Sequence, residues 1–135
     1  MYYEVLSSVI KQDKKGNDKR VTEKFLVENC EICANAEMKV LEYHNGENDC
    51  IAIKQSNIKE FVNERADYDQ DVYLAQIEDT FITDDGDEKI TKYIVGVFAF
   101  NIEDATQRIS DYMQMGLNDM ELAYIKKTKI VDVLK

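Results

Sequence analysis

Hydrophobic residues change their spacing several times along this chain, and each change marks a new element. Ile102, Ala105, Ile109, Tyr112 and Met113 recur at helical spacing and predict a helix over 102–115. Asn101 stands where an N-cap is needed, Asp104 follows three residues on as in a capping box, and Gly116 provides a stop. Cys33, Ala36, Val40 and Tyr43 form a matching stripe and predict a helix over 32–44, ended by Asn45-Gly46. Two runs of strand character precede each helix. They cover 2–10 and 21–29 in the first half, and 72–83 and 88–100 in the second. The turns between them contain Gly16-Asn17-Asp18 and Asp84-Asp85-Gly86-Asp87. One further strand follows each helix, over 50–62 and 121–134. The polar, acidic segment 63–71 is expected to join the halves.

The two halves therefore read alike. Shifted by 69 positions, Val21-Thr22 falls on Ile90-Thr91, Ala36 on Ala105, Val40 on Ile109 and Tyr43 on Tyr112. Past the helices the offset becomes 72, and Ser56–Phe61 meets Thr128–Val133 in residue character. The expected fold class is α+β, in one domain over 1–135. It consists of two tandem strand–strand–helix–strand repeats, about 1–62 and 72–135. They form a largely antiparallel sheet with both helices on one face, related by a pseudo-two-fold axis.

The strand over 88–100 is apolar on both faces. Ile90, Ile94, Gly96, Phe98 and Phe100 share one, and Thr91, Tyr93, Val95 and Val97 the other. In the first copy the second face carries Thr22, Lys24, Leu26 and Glu28 and is much more polar. If the first set faces the helices, Tyr93, Val95 and Val97 need another cover: a partner chain, a neighbouring loop, or a sheet closing on itself.

The run Val21-Thr22-Glu23-Lys24-Phe25-Leu26-Val27, the start Tyr2-Tyr3-Glu4-Val5 and the ending Ile125…Lys129-Ile130-Val131-Asp132-Val133 are similar to one known pattern. They resemble an uncharacterised family of Bacteroides-group bacteria and their tailed phages, including the crAss-like ones. The resemblance implies a small stand-alone protein, often carried on mobile or phage DNA. It carries no established activity, so it assigns no role to any residue.

The 135 residues are 44% hydrophobic and 33% charged, which places the chain among globular proteins with one core. Its longest apolar run, Tyr93 to Phe100, is too short to span a bilayer, and the start lacks a signal-peptide pattern. A cytoplasmic protein without membrane association is expected. The net charge of −10 disfavours a general nucleic-acid binder, whose field should be positive. Three cysteines without a secretory signal do not suggest a disulfide framework.

Cys30, Cys33, His44 and Cys50 supply the donors of a Cys₃His zinc site, with Cys30 and Cys33 as a C-x-x-C pair. Against zinc, the repeat matches them to Ala99, Ile102, Met113 and Leu122, all apolar, so buried core cysteines are the favoured reading. The helix is also about 18 Å long, with Cys33 and His44 at opposite ends. A redox pair would sit at such a strand-to-helix junction, but Glu31 between the cysteines opposes thiolate formation. His44 is expected at the surface. No catalytic triad or phosphate-binding glycine motif is present, and Asp84–Glu88 lacks the spacing of a calcium loop. No cofactor is called for, and an enzyme is the least favoured class.

Lys11, Lys14, Lys15, Lys19 and Arg20 face only Asp13 and Asp18 in the first hairpin loop, whereas the second loop is acidic. Beside sheet aromatics, the basic loop could guide a single-stranded nucleic acid. The first expectation is a non-catalytic protein-interaction or assembly module, with a protein partner or homo-oligomer. The alternative is a single-stranded nucleic-acid binder.

Overall fold

The structure is a computed structural model and describes residues 2–28, 32–116 and 119–135. The chain forms an α+β fold of two compact units. Residues 1–56 with 129–135 make the first and 57–128 the second.

In the first unit, strands β1 (Tyr3–Gln12) and β2 (Asp18–Val27) form a long antiparallel hairpin, in register from Tyr3↔Val27 to Gln12↔Asp18. The turn closes with the Asp13 amide donating to the Asn17 carbonyl at 2.9 Å, and Gly16 takes φ +80°. Period-two alternation puts Tyr3, Val5, Phe25 and Val27 on one face, where helix α1 (Cys33–Tyr43) buries Ala36 and Val40 against them. The helix ends as its sequence demands. Asn45 and Gly46 adopt positive φ, and the Gly46 amide donates back to the Leu41 carbonyl at 2.8 Å. Strand β3 (Asn48–Gln55) then lies antiparallel to β1, with Ile51 bulged out of register.

The chain next enters the second unit. Strand β4 (Ile58–Phe61) lies parallel to β6 (Glu88–Ala99), which pairs with β5 (Asp71–Ile82) in a second long hairpin. Helix α2 (Ile102–Gln114) follows, then β7 (Asp119–Lys127) antiparallel to β5. Asn101 caps α2 by accepting from the Asp104 amide at 2.8 Å, while Asp104 accepts from the Phe100 amide at 3.1 Å. Ala105 and Ile109 are fully buried against Tyr73, Ala75, Ile77, Val95, Val97 and Ala99. Gly96 lets the Phe61 ring lie on the strand. A Cβ there would stand 2.4 Å from that ring, which stacks on Phe98 with centroids 5.2 Å apart.

Strand β8 (Ile130–Leu134) returns to the first unit, parallel to β2. The strand orders are β3-β1-β2-β8 and β4-β6-β5-β7. The single sheet bearing both helices is thus corrected to two mostly antiparallel sheets, each with its own helix. The expected strands over 50–62 and 121–134 are each two strands. The breaks fall at 56–57 and 128–129, and the short second piece pairs with β6 or β2.

The segment 63–71 is pinned within the second unit. The Asn63 amide group pairs twice with the Phe98 backbone, each time at 2.8 Å. The buried Gln70 side-chain oxygen accepts from the Ala66 amide at 2.8 Å and the Asp67 amide at 3.3 Å. No described helix is long and apolar enough to cross a membrane.

Candidate functional site

Tyr93, Val95 and Val97 lie under helix α2, so the face expected to need an outside cover has one in the chain itself. The odd-numbered positions of β6, not the even ones, face the helix. Val95 and Val97 are fully buried there.

The cysteine and histidine set is dispersed. Cys30 lies outside the described residues. Cys33 is exposed, contrary to the core position expected for it, while Cys50 is half-buried beside the core of the first unit. Among the described residues, no three His, Cys, Asp or Glu side chains gather to hold a metal ion. His44 is not simply a surface residue. It follows α1 at the C-cap and packs edge-on against Phe25 at 5.3 Å and Tyr43 at 5.1 Å.

The basic hairpin is partly neutralised. Lys11 pairs with Glu23 at 3.2 Å, and Arg20 reaches Asp49 at 3.2 Å and Ser8 Oγ at 2.9 Å. Lys14, Lys15 and Lys19 are exposed around the turn.

Two polar clusters emerge that the chain's motifs did not announce. In the second unit, the Tyr112 hydroxyl donates to Glu60 Oε1 at 2.5 Å, Lys59 Nζ sits 4.2 Å from the Tyr93 ring centre, and the Tyr93 hydroxyl meets Met120 Sδ at 3.6 Å. Burial, then the bond and charge of Glu60, push the Tyr112 phenol far up. Burial, then the Asp79 charge, raise Tyr93. Both phenols hold their protons at neutral pH, so they act as donors and ring surfaces, not as bases or nucleophiles.

In the first unit, Ser7 and Glu23 face each other in the β1–β2 register, on the helix side of the sheet. The Asn48 side-chain amide donates to Ser7 Oγ at 2.7 Å. Glu23 Oε1, Asn48 Oδ1 and His44 Nε2 are buried with no hydrogen-bond partner. A signal for two of these residues was present. Period two places Ser7 beyond Tyr3 and Val5, and Glu23 before Phe25 and Val27, on the apolar face.

The outer faces of the helices also differ. On α1, Ala34, Met38 and Leu41 are exposed at helical spacing, and Ile32 just before it is exposed too. On α2, the exposed positions include Glu103, Thr106, Gln107, Asp111 and Gln114.

These elements define a small α+β protein of two sheet-and-helix units. The family described as Domain of unknown function (DUF4494) matches residues 1–135, and the chain belongs to that family. No curated protein and no solved structure matches it. Family membership brings no activity with it.

Proposed function

We propose that the protein is a small non-catalytic interaction or assembly module, with a protein partner or a second copy of itself, and that the outer face of α1 is its contact surface. The observation carrying this reading is the stripe Ala34–Met38–Leu41, where Met38 is 56% and Leu41 38% exposed. A helix on a sheet needs only one apolar face, and on α2 the exposed large apolar groups are confined to its first residue, Ile102. A second apolar stripe therefore has no use in the fold of this unit. The experiment is light scattering combined with capture from the host lysate, for wild type and Met38→Glu/Leu41→Glu. A defined oligomer or complex that the double variant loses supports the reading. A strict monomer that captures no partner overturns it.

The proposal includes the duplicated architecture and a single domain over the whole chain. The duplication is supported by both hairpins closing alike, Asp13 to Asn17 and Thr83 to Asp87, with Gly16 and Gly86 at positive φ; the hairpins thus match at an offset of 70, one more than the 69 that aligns the helices and that the sequence pattern also suggests for the strands. Ala36 and Val40 of α1 also match Ala105 and Ile109 of α2 in burial. A single domain is supported by connectivity, because the first sheet takes β8 from the far end of the chain. The phage or mobile-element setting in a Bacteroides-group cytoplasm rests on the resemblance of Val21–Val27 and its companion segments.

Nucleic-acid binding is the second reading, and exposed Lys14, Lys15 and Lys19 favour it. It predicts salt-dependent binding of oligonucleotides that weakens when the three are neutralised. No binding at low salt removes it.

A further inference from the structure

We propose that Glu23, Asn48 and His44 form a binding site for the primary ammonium group of a small amine, at the C-terminal end of helix α1. Buried polar atoms are normally satisfied, and each exception needs a cause. Here three exceptions, Glu23 Oε1, Asn48 Oδ1 and His44 Nε2, come from one unit. The fold brings their residues together. Glu23 is the direct cross-strand neighbour of Ser7, Ser7 Oγ accepts from Asn48 at 2.7 Å, and His44 rests on Phe25, two positions along β2 from Glu23.

The fold does not require a charged group at these positions. In the second unit the pair beside the end of α2 is Ile77↔Tyr93, with Leu122 and Met120 packed against the core. Where those apolar and aromatic groups stand, the first unit has Ser7↔Glu23, with Cys50 and Asn48 in the neighbouring strand. Departures from a consistent core are characteristic of functional positions.

The open atoms also specify the ligand. A carboxylate oxygen and an amide oxygen accept hydrogen bonds, and the imidazole Nε2 accepts in the tautomer protonated at Nδ1. A primary ammonium has three N–H donors, one for each. Glu23 is 8% exposed, and Lys11 Nζ on its other oxygen at 3.2 Å is an ammonium supplied by the chain itself. An anion would find only acceptors among these three atoms. A metal ion would need a denser donor set than the described residues provide.

The test is an NMR titration of the full-length protein with methylammonium chloride, at constant ionic strength. The readouts are the His44 ring nitrogens and the Asn48 side-chain amide. Saturable shifts at both are expected, with no response to tetramethylammonium, which has no N–H. Glu23→Gln, which keeps size and shape, should weaken binding at least tenfold, and His44→Phe gives a second variant if that one folds poorly. The proposal is overturned if methylammonium produces no saturable shift, if tetramethylammonium acts equally, or if only zinc or magnesium moves these resonances.

Discussion

Tyr112 on helix α2 and Glu60 on the four-residue strand β4 are hydrogen-bonded at 2.5 Å across 52 positions of sequence. The bond ties the shortest strand of the second sheet to its helix. Tyr112→Phe should cost about 1 kcal/mol, the usual net value for one hydrogen bond, since Glu60 is solvent-exposed. Chemical unfolding checks this. Leu in place of Tyr112 should cost more, because the ring is half-buried against the core.

The same bond sets a pH limit. Burial and Glu60 raise the Tyr112 phenol, and burial and Asp79 raise Tyr93. The unfolded phenol titrates near pH 10. A group whose folded value is higher contributes fully below the unfolded value and loses its contribution as pH rises above it. Stability should therefore fall above about pH 10, and less steeply in Tyr112→Phe. Melting temperatures from pH 8 to 11.5, with phenolate absorbance followed in parallel, should show Tyr93 and Tyr112 ionising late. Early ionisation of both would contradict the cluster.

Gly96 and Phe61 make a tighter contact. A Cβ at Gly96 would stand 2.4 Å from the Phe61 ring, so Gly96→Ala must displace the ring that stacks on Phe98. Overpacking of this kind costs about 1–3 kcal/mol. Adding Phe61→Leu should return part of that loss, which a double-mutant cycle measures. Additive losses would show that the two positions do not meet.

Helix α2 was the most legible element, because one stripe, one cap and one glycine all agree: Ala105 and Ile109 are buried and Asn101 accepts from Asp104. The division into two sheets was hidden. The chain changes sheet at Ser56-Asn57 and Thr128-Lys129, where no proline or glycine interrupts the strand pattern. The face of β6 was ambiguous for another reason: Val95 and Val97 on one side, and Gly96 and Phe98 on the other, are all buried. Periodicity cannot orient a strand that is apolar on both faces. Glu23 and Ser7 fall on the apolar face of their strands by period two, but a charged or hydroxyl side chain there gives no sign of how deeply it is buried. Glu23 is nevertheless 8% exposed.

Burial of β6 gives the corresponding test. Val95→Asp places a charge between the sheet and Ile109 and should cost roughly 4 kcal/mol or more, enough to unfold the second unit. Met38→Glu, on the outer face of α1, should change stability by no more than about 0.5 kcal/mol. Far-UV circular dichroism distinguishes the two at once. A folded Val95→Asp protein would mean that α2 does not cover this strand.

Cys33 and Cys50 should separate cleanly by reactivity. Cys33 is exposed at the start of α1. Cys50 is half-buried beside Ser7, and burial, followed by the Glu37 charge, raises its thiol above the ordinary value. The thiolate is the reacting species, so Cys50 is slowed both by access and by ionisation. Iodoacetamide at pH 7.5, with site-resolved mass spectrometry, should modify Cys33 at least tenfold faster than Cys50. Denaturant should remove most of that difference, because both causes depend on the folded sheet. Comparable rates in the folded protein would mean that the core beneath α1 does not shield Cys50. Because Cys50 is the cross-strand neighbour of Ser7, such a result would also expose the polar cluster beside it to solvent.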